Sequence, residues 1–270
     1  MTFLEQQMLS GPSSDEASWP ILICLLGSFL LLHTGQSVAI HCGGKIETLL
    51  GRLGLQSGHR VPRAVLVNLL WPASDSAQAT QSLNSLVYSL HKLIGDALGG
   101  AAPVLHEDGY YRLNVEAGVG VDIACFDAWA NTGDQQVREG DLARAAISYR
   151  QSVQLYRGDL AMEMDVASIL ERERLRARFL SLLAYLADAQ YRVGEYGACL
   201  EHAWRLLGHD PCREDAHRVV MRCYVRRGER AAALRHYQVC AHVLHTEFEA
   251  APERATTALF DQIRLQPSDI

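Results

Sequence analysis

The chain has 270 residues, 49% of them hydrophobic, and carries 25 lysines and arginines against 31 aspartates and glutamates, a net charge of −6. That length can bury one or two cores, and the acidic balance excludes a general polycationic nucleic-acid coat without excluding one small DNA-facing surface. Seven cysteines, none in a C-x-x-C pair, fit reduced thiols in a cytosolic protein better than a disulfide framework.

Residues 1–19, rich in Ser, Gly and Pro, read as a loose tail. The apolar run Pro20 to Leu32 is broken at Gly27-Ser28 and ended by His33-Thr34-Gly35-Gln36. It is preceded by Glu5, Asp15 and Glu16 rather than by a basic segment. It is also shorter than the roughly 20 apolar residues of a membrane span, so neither a signal peptide nor a membrane anchor is expected. The pattern predicts two buried strands, Ile21 to Leu26 and Phe29 to Leu32, and a turn into Val38 to Ile40.

Residues 44 to 57 place Ile46, Leu49, Leu50 and Leu53 on one side of a first helix, interrupted by Gly51 and Gly54. A second short helix is predicted around Val61 to Trp71, then a turn at Pro72-Ala73-Ser74-Asp75 and a longer helix from Ser76 to Ile94. Two strand-like segments follow on either side of Asp108-Gly109, a strong hairpin-turn pair, with Val104, Leu105, Tyr111, Leu113 and Val115 as apolar positions. Helix, turn, helix, hairpin is the order of a winged helix. Within Ser76 to Ile94, the residues Leu83, Leu86, Val87, Leu90, Leu93 and Ile94 share the apolar side, and Gln78, Gln81, Ser85, Tyr88, Ser89 and Lys92 the polar side. Glutamine amides pair with adenine edges in the major groove, serine serves base or phosphate, and lysine suits the backbone. Asp75 or Ser76 is placed to cap this helix, leaving its first amides to favour a phosphate. A polar helix side is also what any solvated helix shows. Residues 21 to 116 carry six basic and six acidic side chains. Arg60, Arg63, His91, Lys92 and Arg112 are the candidate phosphate contacts, so a single copy is expected to bind weakly and to need a dimer or a second bound protein.

From about Asp122 the pattern is helical. Gly194 to Ala203 is echoed by Gly228 to Tyr237 at an offset of 34 residues, with a more distant copy at Gly140 to Tyr149. This is the tetratricopeptide period. Small residues such as Ala146, Ala198, Ala203 and Ala232 suit close helix approach, and Pro211 and Pro252 suit helix starts. Arg172, Arg174, Arg176 and Arg178 alternate, and Arg226, Arg227 and Arg230 sit at a repeat turn. Pairing with Glu171, Glu173 and Glu229 is the simpler role for them. The sharper one is a groove that binds an acidic peptide, a phosphorylated partner or a small acidic effector. No H-E-x-x-H, paired C-x-x-C, calcium-loop, phosphate-loop or nucleophile-elbow pattern occurs, so no enzyme activity, metal or cofactor is expected, and Cys199 with His202 is read as packing.

Several of these features resemble one family. They are the strand-rich start, Gly43-Gly44-Lys45, Leu69-Leu70-Trp71-Pro72, Leu83 through Leu93, and Asp108-Gly109-Tyr110-Tyr111-Arg112-Leu113. The helical half adds Tyr156-Arg157-Gly158 and Glu171 to Leu175. Together they resemble the bacterial antibiotic-regulatory transcriptional activators, in which an OmpR-like winged helix precedes a tetratricopeptide-like bacterial transcriptional activation domain. The resemblance implies an α+β winged helix-turn-helix domain at 20–116 and an all-α tetratricopeptide-like solenoid at 121–264. It implies a cytoplasmic activator of double-stranded DNA at direct-repeat promoter sites, acting as a homodimer with RNA polymerase contacts through the helical domain. By position it implies recognition by Gln78, Gln81, Ser85, Tyr88 and Lys92, with Arg112 in the wing. Relatives carry several arginines late in the recognition helix where this chain has Ser89, His91 and Lys92. The competing reading is a protein-interaction or small-ligand sensor module on a degenerate winged helix.

Overall fold

The computed structural model describes residues 19–38, 44–160 and 165–266. The predicted tail, apart from Trp19, and the predicted strand residues Ala39 and Ile40 lie outside them. β1 (Ile21–Cys24), β2 (Leu30–His33) and β3 (Gln36–Ser37) form an antiparallel run, and Ile21 through Leu26 are fully buried. The predicted strands are therefore present but shorter: the chain leaves the sheet after Cys24 and turns at Gly27, which has φ +95. A fourth strand, β7 (Val119–Val121), joins parallel to β1, with Ile21 opposite Val119 and Ile23 opposite Val121. The sheet order is β3-β2-β1-β7.

α1 (Gly44–Leu55) buries Ile46, Leu49, Leu50 and Leu53, the side its spacing predicts. Gly54 has a packing reason: a Cβ there would lie 2.9 Å from the Leu25 side chain. β4 (Val61–Pro62) leads into α2 (Arg63–Leu70), and α3 (Ser76–Ile94) follows the turn. β5 (Val104–Glu107) and β6 (Tyr110–Leu113) make the wing, with β4 on the outer side of β6. On α3 the buried residues are Ala79, Leu83, Leu90 and Ile94, whereas Leu93 is 39% exposed and does not belong to the apolar side assigned to it.

Beyond residue 121 every described element is a helix: α4 (Asp122–Glu139), α5 (Leu142–Leu155), α6 (Val166–Arg192), α7 (Tyr196–His209), α8 (Glu214–Arg226), α9 (Arg230–Phe248) and α10 (Arg254–Leu265). Three helix pairs share one joint. Gly140, Gly194 and Gly228 each take a left-handed φ of 84, 82 and 78, which glycine adopts without a Cβ penalty. The next residue's N–H reaches back in the same way each time: Asp141 to Gln136, Glu195 to Gln190 and Glu229 to Tyr224, at 2.9, 3.0 and 2.7 Å. Five residues after each glycine stands a fully buried small side chain: Ala145, Cys199 and Ala233. Close approach therefore falls on these positions, while Ala146, Ala198 and Ala232 are only half-buried. Pro211 and Pro252 stand in the turns ahead of α8 and α10, not within their first turns. Among the described residues no helix is long and apolar enough to cross a membrane.

The chain packs as two compact units, residues 1–175 and 176–270, with the boundary inside α6. The winged helix and the α4–α5 pair lie within one packing unit. Asp122 shows why. Its carboxylate is fully buried and accepts hydrogen bonds from the Leu25 N–H at 2.8 and 2.9 Å and from the Leu26 N–H at 2.9 Å. The Arg157 guanidinium stands 3.4 Å away. Burial pushes this carboxyl up to about 6, against the opposing pull of those amides and of Arg157. Between the ordinary carboxylate range near 4 and about 6, the native state therefore holds a proton that the unfolded chain has released, and stability contributed by Asp122 falls as pH rises through that window. In paired urea unfolding, the stability advantage of wild type over Asp122→Asn shrinks on the order of 2–3 kcal/mol from pH 4 to pH 6 and then stays level. An advantage that grows with pH over this range contradicts the assignment.

Candidate nucleic-acid interface

α3 is held by its neighbours so that one polar side faces outward. Its N-cap is Asp75, whose carboxylate accepts from the Ala77 N–H at 3.1 Å. The cap is as predicted, but it places a negative charge on the amides that were expected to favour a phosphate, so this helix end does not receive one readily. Gln78, Gln81, Ser85, Tyr88 and Lys92 are all exposed, and Tyr88 is 60% exposed. Trp71, Gln78, Gln81, Ser82, Ser85 and Ser89 line an open hollow along the helix. The Ser85 hydroxyl donates to the Gln81 carbonyl at 3.1 Å and Ser89 to Ser85 at 2.9 Å. With their protons turned inward, both hydroxyls offer outward lone pairs, which suits a base amino group better than a phosphate. The Lys92 ammonium rests 5.1 Å from the Tyr88 ring centre.

The wing is fixed to this helix. Asp108 and Gly109 both take positive φ, 50 and 79, as their hairpin signal predicts. Tyr111 is buried in the core, stacks on His106 at 4.3 Å, and donates its hydroxyl to Asn84 on α3 at 3.2 Å. The Arg63 N–H donates to the Gly109 carbonyl at 2.8 Å, joining the start of α2 to the wing turn.

The predicted phosphate contacts are less available than their sequence suggests. Arg112 donates to both oxygens of Glu116 at 3.0 Å, and a backbone hydrogen bond together with Arg112 holds that carboxyl below its usual range. Arg60 pairs with Glu107 at 3.2 Å. Arg63 lies 2.9 Å from His106 Nε2, which must accept because a guanidinium only donates. Sequence reasoning missed Lys45, at the first turn of α1, whose ammonium stands 4.5 Å over the Trp71 ring. The sequence marks it only within Gly43-Gly44-Lys45, and nothing local pairs it with Trp71, 26 positions on.

The second arginine set is distributed rather than gathered. Residues alternating along a helix fall about 200° apart, so one helix cannot turn four of them to one groove. In the first unit, Arg172 donates to the Leu160 carbonyl at 2.7 Å, and Arg174 to Asp127 and Glu171, each at 2.7 Å. In the second unit, Arg176 donates to the His209 carbonyl at 2.6 Å, Arg226 to the Tyr191 hydroxyl at 3.3 Å, and Arg227 pairs with Glu229 at 2.9 Å. Arg230 donates to the Ile263 and Arg264 carbonyls at 3.0 and 2.6 Å, closing the end of α10. Arg178 is half-buried on α6. Of the expected glutamate pairings, Arg174 with Glu171 and Arg227 with Glu229 form, while Arg172, Arg176 and Arg230 hold backbone carbonyls and Arg226 a tyrosine hydroxyl. No group of three or more His, Cys, Asp or Glu side chains placed to hold a metal occurs among the described residues.

The Asp75 cap generates a direct stability test. Asp75→Ala lowers urea-unfolding stability by about 1 kcal/mol, while Asp75→Asn, an equally good cap, stays near wild type. Equal losses in both variants count against capping as the role of Asp75.

Comparison with known proteins agrees with this geometry. Residues 121–264 match the family model of the bacterial transcriptional activator domain. The regulatory protein DnrI of Streptomyces peucetius is 26% identical over 238 residues, covering 85% of this chain and 87% of DnrI. The structure of Mycobacterium tuberculosis EmbR in complex with a low-affinity phosphopeptide superposes with a TM-score of 0.69 at 19% identity, over 90% of this chain. The chain covers 65% of EmbR's length, and at that identity the likeness is one of fold. With a winged-helix-like α/β region followed by a tetratricopeptide-like helical array, and with residues 121–264 matched, this chain belongs to the bacterial transcriptional activator domain family.

Proposed function

We propose that the protein is a sequence-specific DNA-binding transcriptional activator whose helix α3 enters the major groove. The observation that carries this reading is the outward side of α3. Gln78, Gln81 and Ser85 stand exposed on a helix that the Tyr111–Asn84 hydrogen bond couples to a wing. Glutamine amides and outward serine lone pairs read base edges, while Tyr88 and Lys92 meet the backbone near the other end of the helix. The winged helix is assigned to residues 20–116 and the activator domain to 121–264. DnrI's name as a regulatory protein points the same way.

Affinity of one copy is low on this reading. Arg112 of the wing and Arg60 beside it already hold carboxylates, so a phosphate must replace Glu107 or Glu116 before Arg60 or Arg112 contributes fully. A homodimer on direct-repeat sites, or RNA polymerase bound alongside through the helical domain, supplies the missing affinity by adding a second set of contacts.

The test is a binding titration of the purified full chain on its own upstream DNA and on a random duplex, at low and moderate salt. Wild type prefers one upstream fragment and weakens as salt rises. Gln81→Ala loses about 1–3 kcal/mol of that preference, while Lys92→Glu weakens both duplexes alike. Equal, salt-insensitive binding of both duplexes by all three proteins overturns the reading and leaves an interaction module on a retired winged helix.

A further inference from the structure

Resting on the DNA-binding reading above, we propose that Lys45, presented by the Trp71 indole, is a phosphate contact on the flank of α3 opposite the wing. Successive helix residues turn by about 100°, so Gln81, Ser85 and Tyr88 lie between two edges of the outward side. One edge is Asn84, which receives the Tyr111 hydroxyl from the wing at 3.2 Å. The other is Ser82 and Leu86, which line the hollow together with Trp71. A helix in the major groove, about 12 Å wide, has a phosphate ridge on each side. The wing serves one ridge, and the Trp71 edge faces the other.

Charge on the two edges differs. On the wing edge, Arg60 and Arg112 are neutralised by Glu107 and Glu116. On the Trp71 edge, Lys45 is exposed and has no carboxylate partner among the described residues. Its ammonium, 4.5 Å from the indole ring centre, is restrained by the ring quadrupole. That attraction orients the side chain but supplies no counter-charge, so the full positive charge stays available to a phosphate. An ammonium suits this role as a compact point charge that needs no planar fork geometry. Lys45 thus completes on one side what the wing arginines cannot supply unaided on the other.

The experiment uses the full chain and a labelled random-sequence duplex in a salt series, because a phosphate contact acts on every sequence. Lys45→Gln weakens binding and reduces the magnitude of the slope of log affinity against log salt by about one. Lys45→Arg retains the slope, and Arg112→Gln changes it less than Lys45→Gln does. Lys45 is exposed, and unchanged urea unfolding of Lys45→Gln confirms that the variant is folded. A wild-type slope for folded Lys45→Gln overturns the assignment while the DNA-binding reading stands. Absence of any salt-dependent duplex binding by wild type removes the DNA-binding reading and the Lys45 assignment together.

Discussion

One buried carboxylate joins the DNA-facing half of this protein to its helical half. β1 leaves its sheet after Cys24, and the next two amides have no strand to bind. Asp122 meets both of them from the first turn of α4, immediately after β7 has paired with β1. Arg157 offsets the charge from one side, and Gly27 then donates to the Asp159 carbonyl at 3.1 Å. Removing Asp122 would leave two buried donors unsatisfied at once, which is costlier than losing a single exposed hydrogen bond. A second tie lies nearby: Arg52 of α1 donates to Asp165 at 2.8 Å, and Asp165 also accepts from the Ser168 N–H at 2.7 Å in the first turn of α6. The winged helix is therefore not a bead on a linker. α4 and the chain at Arg157 to Asp159 thus bond directly to the segment that follows β1.

The interface itself rests on restraint of charge. A winged helix with many unpaired arginines binds any duplex tightly, and its specificity then depends on small differences over a large nonspecific term. Here Arg112 of the wing and Arg60 beside it are paired with acids, and the exposed side of α3 is rich in amides and hydroxyls. On the DNA-binding reading proposed above, such a surface leans on base contacts and on neighbouring molecules for affinity. The helical half belongs to a transcriptional activator-domain family, and the proposed low affinity of a single copy suits a regulator that engages its sites in company.

Much of this was legible in the sequence, for local reasons. The joints at Gly194 and Gly228 announce themselves through their 34-residue offset, and Asp108-Gly109 through the φ values it permits. α3 showed both its sides, apart from Leu93. What stayed hidden was non-local. β7 is three residues long and pairs with a strand nearly a hundred positions earlier, with no turn to signal it. Gly120 within it is small because the Trp19 ring occupies the space a Cβ would take, 2.5 Å away. Arg60 and Arg112 read as free cations until folding brings Glu107 to one and turns Glu116 back on the other. Lys45 stood out only within Gly43-Gly44-Lys45, because its partner is an aromatic face at the end of another helix. Alternation at Arg172 to Arg178 suggested one surface, but alternation shares a face only on a strand.

The most direct test of the central claim is dimethyl sulfate protection on the fragment the protein selects. The reagent marks guanine N7 in the major groove and adenine N3 in the minor groove. With α3 in the major groove of direct repeats, guanines become protected in patches spaced by about one helical turn or a multiple of it. Protection confined to adenine N3, with every guanine N7 as reactive as in free DNA, would contradict the placement of α3 and the roles assigned to Gln78 and Gln81.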